Sequence, residues 1–367
     1  MAQFIIFSLL MLLAGFANAQ APQGSVVWPA SGSDSEIKEH FVYGLAEAKN
    51  GAILAFAEGR IRPGDASAHH IVLKRSEDGG STWSASKIIV RSTAGACFAN
   101  PTPVVDRRGG IHLFYAQNFH NDSSHLYKIV SRNHGKTWSA PVELTHLFAD
   151  DPLQRPFHLP GPGHGVVLKN GRLLVQVWHR RSIKYERSQR AYGVSVLISD
   201  DHGLSWENGN YVPAADSLEG NESRLVALKN GSVLMNARPS GSARAQRRLF
   251  SWSEDNGFTW SSWHEGSMGP LPVVDMGFNV TTVKHQSYLL SSFPEGPGRH
   301  NMVLQASADN GHSWLKRYLI REGVVNYSDI AVLKDGSILI LYGRGTSKEV
   351  IACRLSKQLL RTQVIAH

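Results

Sequence analysis

The sequence has few cysteines and few long hydrophobic runs, and both shortages narrow the classes of protein it can be. Cys97 and Cys353 are its two cysteines in 367 residues. That is too few, at too wide a spacing, for a disulfide scaffold or a zinc site, so we expect two separate buried thiols. After the first 20 residues no stretch is apolar enough to predict a membrane-spanning helix. We do not expect an integral membrane protein.

Long runs of positive charge are also missing, although the formal net charge is +8. No run of Lys and Arg exceeds two residues, and no basic stretch is interleaved with aromatic residues as in proteins that bind single-stranded nucleic acid. A basic surface also suits acidic substrates. We therefore expect an acidic glycan and no nucleic acid as the partner. Helical periodicity is almost absent, which favours an all-β fold.

The first 19 residues are typical of a cleavable signal peptide. The apolar run from Phe4 to Phe16 is too short to span a bilayer, and Ala17-Asn18-Ala19 fits an Ala-x-Ala cleavage site. We predict a secreted or periplasmic protein whose single domain covers residues 20–367. An uncleaved anchor is the alternative.

One eight-residue pattern, Ser-x-Asp/Asn-x-Gly-x-Ser/Thr-Trp, occurs five times. The copies are Ser76–Trp83, Ser131–Trp138, Ser199–Trp206, Ser253–Trp260 and Ser307–Trp314, with starts 55, 68, 54 and 54 residues apart. A period near 50 residues indicates an array of similar structural units. Each copy predicts a hairpin turn: Asp or Asn bonds the local backbone, Gly adopts a positive φ, and Trp packs back as an apolar clip. We call these copies Trp clips.

A second repeat of strand, turn and strand alternates with the Trp clips. Its turns lie near Gly51, Gly109, Gly171, Gly231, Gln286 and Gly336. Asn-Gly and Asp-Gly between alternating apolar residues are strong hairpin signals. The two repeats together predict four-stranded sheets of about 55 residues, and six of these around an axis make a six-bladed β-propeller. We expect the N-terminal strand to help complete the last blade.

Several segments between the Trp clips resemble the sialidase family, the exo-acting neuraminidases of animals and bacteria. The resemblance runs from about residue 35 to 356. It rests on Leu54–Arg60 followed by Asp65, on Asn221–Arg224 leading to Arg238, on Pro297–Arg299, and on Asn326–Asp329. Four such motifs in the family's order, with the clips between them, make the resemblance specific.

The resemblance implies a catalytic set of Asp65, Glu222 and Tyr327. Sialic acid carries a carboxylate on its anomeric carbon, which would repel the carboxylate nucleophile common in glycosidases, and the family uses tyrosine instead. A phenol is protonated near pH 7 and needs a base, here Glu222. Asp65 would be the acid that protonates the leaving oxygen and later activates water.

The resemblance also implies four substrate-binding residues. Arg238 and Arg299 would clamp the substrate carboxylate, since guanidinium groups present forked donors and stay charged. Arg60 and Glu58 would contact the far side of the sugar ring. No metal or organic cofactor is implied.

The chain departs from the family pattern at two positions. Val42 stands where the family has the first arginine of a three-arginine clamp, and Gly343 stands where it has the glutamate that braces that arginine. Losing both members of an ion pair avoids leaving one charge buried alone. Either Arg344, Arg62 or His40 refills the gap, or the pocket accepts a different sugar.

A basic loop containing Arg180, Arg181, Arg187 and Arg190 has two interpretations. It is either a solvated edge or a rim that contacts an acidic glycan. The leading hypothesis for function is a secreted exo-glycosidase of sialidase type, which releases terminal sialic acid with retention from glycoproteins or glycolipids. The alternatives are the same machinery acting on another acidic or keto-sugar, and a carbohydrate-binding propeller without turnover.

Overall fold

The computed structural model describes residues 24–30, 36–215, 218–240, 247–296, 298–314, 316–346 and 349–361. The predicted signal peptide, residues 1–19, lies outside these ranges. Within them the chain is all-β apart from short 3₁₀ turns at Thr145–Phe148, Arg187–Gln189 and Lys357–Arg361. No helix in the described ranges has the length and apolar character needed to cross a membrane.

The strands of the first half follow one another mostly as antiparallel neighbours. They are β1 (Ser25–Trp28), β2 (Glu39–Glu47), β3 (Ile53–Arg60), β4 (His69–Ser76), β5 (Lys87–Val90), β6 (Cys97–Val105), β7 (Ile111–Phe119), β8 (Ser123–Ser131), β9 (Val142–Glu143), β10 (Phe157–Pro160), β11 (Val166–Val167), β12 (Leu173–Arg180), β13 (Gly193–Ser199) and β14 (Glu207–Asn208). Strands β2 to β9 belong to one sheet because β4 and β6 make a single parallel contact, His69 to Cys97. Strands β10 to β14 form the next sheet.

The second half continues the same antiparallel pattern. Its strands are β15 (Glu219–Ala227), β16 (Val233–Ser240), β17 (Leu249–Ser253), β18 (His264–Glu265), β19 (Gly277–Val283), β20 (Gln286–Gly296), β21 (His300–Ser307), β22 (Lys316–Val332), β23 (Ile338–Arg344) and β24 (Glu349–Leu355). Strands β15 to β18 form one sheet, and β19 to β24 with β1 form another. Within the sheets, consecutive antiparallel strands form what we call strand groups. The 17-residue β22 joins two of them, since its first half pairs with β21 and its second half with β23.

The Trp clips form the hairpin turns predicted for them. In the first, the Asp78 carboxylate accepts hydrogen bonds from Ser76 Oγ (2.7 Å), Thr82 N (2.9 Å) and Thr82 Oγ1 (2.6 Å), while Gly80 N donates to Ser76 Oγ (2.8 Å). The fifth-position glycine of every clip has a φ between 78° and 92°, as the prediction required. Equivalent contacts surround Asn133, Asp201, Asp255 and Asp309.

The hydrophobic core lies between successive strand groups. Leu54 and Phe56 of β3, for example, pack in one buried cluster with Leu113 of β7. The predicted help from the N-terminal strand is confirmed, because β1 pairs antiparallel with β24 and buries Trp28. The two cysteines are free and buried, as expected. Burial raises the pKa of Cys97 to about 12.

Candidate active site

Backbone irregularities in the first strand of several groups shape the candidate site. The pairing register shifts between Phe41 and Tyr43 in β2, between Ala99 and Thr102 in β6, between Gly220 and Ser223 in β15, and between Val325 and Ser328 in β22. Such bulges place an extra residue in one strand and re-aim its side chains. Five of the seven residues inside these irregularities line one cavity: Val42, Asn100, Asn221, Glu222 and Tyr327.

This cavity has a volume of about 240 Å³ and mixes charged with aromatic side chains. Six of the seven residues predicted from the sequence line it, namely Glu58, Arg60, Asp65, Glu222, Arg238 and Tyr327. They come from positions up to 269 residues apart (58 to 327), which the fold brings together.

Tyr327 and Glu222 form a direct pair. The Tyr327 hydroxyl lies 2.9 Å from both carboxylate oxygens of Glu222 and donates to that carboxylate. Arg238 Nη1 donates to Glu222 Oε2 at 2.6 Å and to the Tyr327 hydroxyl at 3.0 Å. Burial raises the pKa of Tyr327 well above its usual value, and the Glu222 charge adds to this while Arg238 opposes it. The phenol is therefore held protonated, with a carboxylate in position to accept its proton.

Arg60 links Glu58 to the exposed Asp65. Its Nε and Nη2 donate to Glu58 Oε2 at 2.9 and 2.7 Å, and Nη2 lies 3.1 Å from Asp65 Oδ1. Burial alone would lower the pKa of Arg60, but the carboxylates of Glu58 and Asp65 outweigh it and raise the pKa. Asp65 is 77% exposed at its side chain, on the loop between β3 and β4. An acid tethered by one ion pair at a cavity mouth can reach a substrate and also solvent.

Arg299 is the predicted residue that lies beside the cavity rather than in its lining. Its guanidinium carbon is 5.4 Å from the centre of the Tyr327 ring, within cation–π range. Its Nη1 donates to Asn326 Oδ1 at 3.4 Å and its Nη2 to Val273 O at 3.0 Å. Arg238 thus contacts the hydroxyl of Tyr327, whereas Arg299 lies over its ring.

Tyr43 lies between the two positions at which the sequence departs from the family pattern, Val42 and Gly343. Val42 has a φ of 51°, unusual for a β-branched residue, and lines the cavity. The next residue, Tyr43, is buried and points its hydroxyl towards Gly343, where an added Cβ would lie 2.6 Å from that oxygen. Gly343 therefore leaves room for a phenol where the family has a carboxylate.

None of the three residues considered as replacements lines the cavity. Arg344 donates from Nε to Glu349 Oε2 at 2.8 Å, and His40 is buried with its ring 5.1 Å from that of Trp28. Arg62 is exposed on its loop. A refilled three-arginine clamp is thus not supported, because none of these side chains faces the cavity.

A buried ion network adjoins Glu222 and Tyr327 along their strands. Arg224 is two residues from Glu222 on β15, and Asp329 is two residues from Tyr327 on β22, so the same two strands carry both pairs. Arg224 Nη1 lies 2.7 Å from Asp329 Oδ1, and the same guanidinium pairs with Asp275. The two carboxylates give the buried Arg224 charge its counter-ions, so removing either one would leave a costly unbalanced charge.

Sequence reasoning missed most of the cavity wall. Phe157, Leu159, Trp178 and Tyr192 make an apolar side, and Asn100 and Asn118 add amides. The sequence signal for this wall is the alternation of β12, which points Trp178 and Arg180 the same way. Across the described ranges, no group of three or more His, Cys, Asp or Glu side chains could hold a metal ion.

Fold and site together define an all-β protein of the propeller type with a carboxylate–tyrosine–arginine cavity. The family described as "BNR repeat-like domain" matches residues 51–340. A sialidase of Bacteroides fragilis is 25% identical over 335 residues, covering 82% of this chain and 59% of that protein. A sialidase of Micromonospora viridifaciens is 25% identical over 382 residues, covering 91% and 56%. Mouse sialidase-2 is 27% identical over 339 residues, covering 83% and 88%.

Solved structures show the same fold. The Hadza microbial sialidase Hz136 superposes with a TM-score of 0.79 at 22% identity, covering 91% of this chain and 68% of that one. The intramolecular trans-sialidase from Ruminococcus gnavus gives 0.76 at 17% identity, covering 94% and 100%. The chain belongs to the sialidase superfamily, through its BNR repeat-like domain. It spans less than two thirds of the length of the two bacterial relatives in sequence.

Proposed function

We propose that the protein is an exo-acting glycoside hydrolase that releases terminal sialic acid with retention, with Tyr327 as nucleophile. One observation carries the proposal: the Tyr327 hydroxyl lies 2.9 Å from the Glu222 carboxylate and 3.0 Å from Arg238 inside the cavity. A buried phenol, a base and a cation in mutual contact form an activated nucleophile. Superfamily membership supports the same chemistry.

The first chemical step forms a bond from the Tyr327 oxygen to the anomeric carbon. The phenol proton passes to Glu222, the bond to the leaving oxygen breaks, and Asp65 gives its proton to that oxygen. In the second step Asp65 takes a proton from water, whose oxygen attacks the anomeric carbon. The bond to Tyr327 then breaks, and Glu222 returns the proton. Two successive inversions give retention.

We propose that the molecule is a ring of six blades around this site. Six buried hydrophobic clusters within the described residues support it, and each lies between consecutive strand groups. The last cluster joins Leu339 and Leu341 of β23 to Leu45 of β2, so the final group packs on the first. A closed ring leaves only short, protected sheet edges.

A second candidate is the same machinery acting on another terminal keto-acid or acidic sugar. The observation that favours it is the pair Tyr43 and Gly343, which puts a neutral phenol where a third arginine and its brace would lie. Two arginines near Tyr327 still offer forked donors to one carboxylate. A carbohydrate-binding propeller without turnover is less favoured, because Asp65, Glu222 and Tyr327 line one cavity.

The proposed substrates are sialylated or other acidic glycans of glycoproteins or glycolipids, met outside the cell after the signal peptide is removed. The decisive experiment incubates the protein with a fluorogenic sialoside and, in parallel, with fluorogenic glycosides of other keto-acid sugars and of neutral sugars. A 2,3-difluorinated sialic acid is added separately, and the modified peptide is located by mass spectrometry. We expect release from the sialoside and a covalent adduct on Tyr327.

Tyr327→Phe is the matched control, since it removes one oxygen and keeps the ring. Release from another keto-acid sugar alone would select the second candidate. An adduct on a different residue, or equal turnover by Tyr327→Phe, contradicts the assigned nucleophile. Binding of sialosides with no turnover of any glycoside would select the carbohydrate-binding alternative.

A further inference from the structure

Two arginines of the cavity wall, Arg180 and Arg190, have a role that the catalytic proposal does not use. Arg180 ends β12 and is 4% exposed, with its guanidinium carbon 3.7 Å from the centre of the Phe157 ring. Its Nη1 donates to Arg181 O at 2.9 Å and its Nη2 to Asn121 O at 2.7 Å. Both arginines line the same cavity as Tyr327.

Within the described residues neither arginine has a carboxylate in ion-pair range. Arg190 donates from Nε to Tyr185 O at 3.1 Å and from Nη2 to Ile183 O at 3.2 Å, so its partners are carbonyl oxygens. Asp122 acts on Arg180 from longer range, but its carboxylate is held by Lys184 at 2.7 Å.

The other two arginines in the cavity lining each have a carboxylate partner. Arg60 is paired with Glu58, and Arg238 with Glu222. Burial lowers the pKa of Arg180 to about 10, and the nearby charge of Arg190 acts in the same direction. The Arg180 guanidinium therefore stays charged at neutral pH and is repelled by the charge of Arg190. A charge that is buried without a counter-ion is costly, and an arriving anion removes that cost.

A short chain of hydrogen bonds places Arg180 relative to the proposed acid. Asn118 Nδ2 donates to the backbone oxygen of Asp65 at 3.0 Å and to Asn121 Oδ1 at 2.8 Å. The backbone oxygen of Asn121 in turn accepts from Arg180. Arg180 is thus connected to the Asp65 loop, whereas Arg238 and Arg299 contact Tyr327.

We propose that Arg180 and Arg190 form an oxyanion subsite, so that the preferred substrate carries a second anionic group besides the carboxylate at its anomeric carbon. This proposal rests on the proposed function. The group is a sulfate or carboxylate held by the free N–H donors of the two guanidinium groups. It belongs either to the terminal sugar or to the sugar next to it.

The test compares kcat/KM for three trisaccharides: plain sialyllactose, sialyllactose sulfated on the sialic acid, and sialyllactose sulfated on the galactose. For the wild type we expect one sulfated substrate to exceed the plain one by about tenfold, as a charge-assisted hydrogen bond provides. Which sulfated trisaccharide is preferred tells the two positions apart. The ratio of kcat/KM for the preferred sulfated substrate to kcat/KM for the plain one should fall to about one in Arg180→Gln and in Arg190→Gln.

Arg187→Gln is the matched control, because it removes an exposed charge from the same loop that does not line the cavity. Arg187→Gln should keep the wild-type preference. Arg190 is only half-buried, so its variant keeps the test valid if Arg180→Gln does not fold. A wild type without preference for either sulfated substrate, or a preference that both variants retain, overturns the subsite.

A binding measurement separates this proposal from the proposed function. If no sialoside is hydrolysed, the proposed function fails, and thermal unfolding with each trisaccharide then decides the subsite alone. A larger rise of Tm with a sulfated trisaccharide than with the plain one, lost in Arg190→Gln, supports it. Equal rises, or none, overturn it.

Discussion

The phenol of Tyr327 is buried, protonated and in contact with the Glu222 carboxylate, and these three properties depend on one another. Burial raises its pKa, so no phenolate accumulates beside the Glu222 carboxylate. In the proposed mechanism the proton leaves only as the oxygen attacks, so the charge of the phenolate never has to exist alone in the cavity. Arg238, which contacts both groups, balances the negative charge they share.

Replacing Glu222 with Gln tests the base directly. Gln keeps a hydrogen-bond acceptor of the same size but cannot take the phenol proton, so we expect kcat to fall about 10²–10⁴-fold. Initial rates on a fluorogenic sialoside measure this, and an unchanged Tm would show that the loss is chemical. A Glu222→Gln enzyme with more than half of the wild-type rate would rule out this base.

Tyr43 and Gly343 are expected to be energetically coupled. Gly343→Ala puts a Cβ 2.6 Å from the Tyr43 hydroxyl, and such overpacking costs about 1–3 kcal/mol of unfolding free energy. Tyr43→Phe removes that oxygen and leaves the ring carbon at 3.6 Å, while the tighter contact with Asn326 Cβ at 3.1 Å stays. Urea unfolding of the two single variants and the double variant forms a complete cycle. We expect the double variant to recover part of the loss, and simple additivity would contradict the contact between Tyr43 and Gly343.

At the residue scale, the sequence shows where the chain departs from the family pattern. It does not show which side chain lies next to those positions in the fold. The departures at Val42 and Gly343 are visible in the chain by comparison with the family pattern. The position of Tyr43 beside them is not, because it depends on where a hydroxyl on β2 meets a backbone position on β23. Arg180 was noticed only as one of several loop arginines, since sequence does not report which of them faces a cavity.

A single carboxylate organises each Trp clip, so the clip should be sensitive to its loss. Asp255 accepts from Ser253 Oγ at 2.8 Å, from the backbone N of Phe258 at 3.1 Å and of Thr259 at 2.8 Å, and from Thr259 Oγ1 at 2.6 Å. Asp255→Ala leaves these donors to water, and we expect a loss of about 1–2 kcal/mol in urea unfolding.

Asp255→Asn is the matched control for that loss. The clip at Asn133 already uses an amide, whose Oδ1 accepts from Thr137 N at 2.9 Å and whose Nδ2 donates to Thr137 Oγ1 at 2.8 Å. The Asn variant should therefore lose much less than the Ala variant. Equal losses would mean that the hydrogen bonds of the carboxylate do not hold the turn.

The hairpins and clips could be predicted from sequence because their signals are local. Asn-Gly turns and the clip pattern act over fewer than ten residues, and the structure has strands on both sides of each. The bulges that aim Glu222 and Tyr327 could not be predicted, since one extra residue in a strand leaves no periodic signal. The site residues were thus identifiable by resemblance, while their orientation was not.

At the scale of the whole molecule, the two ends of the chain pack against each other and stabilise the first and last strand groups together. Trp28 of β1 packs with Val72 of β4 and Leu341 of β23, so the two ends of the chain share one cluster. The Trp28 Nε1 also donates to Ser86 Oγ at 3.0 Å. Because β1 completes the sheet of β24, opening at this point exposes both the first and the last strand group.

Acid should weaken the whole fold well above the pH at which carboxylates titrate. Burial lowers the pKa of His40 to about 3, that of His158 to about 4, and that of His179 well below its usual value. In the unfolded chain each would take a proton as the pH falls through about 6.5. Between these values the unfolded state binds more protons, so the free energy of unfolding falls as the pH decreases.

The size of this effect can be checked against a variant that cannot titrate. At pH 5.5 each such histidine should cost about 1 kcal/mol of stability relative to pH 8. His40→Phe keeps the stacking on Trp28, and the His40 Nε2 that it removes has no hydrogen-bond partner among the described residues. Urea unfolding from pH 8 to 5 should therefore show a shallower decline in His40→Phe than in the wild type. A wild type equally stable at both ends of this range, or two identical slopes, would show that these histidines are protonated in the folded protein and do not couple the ring to pH.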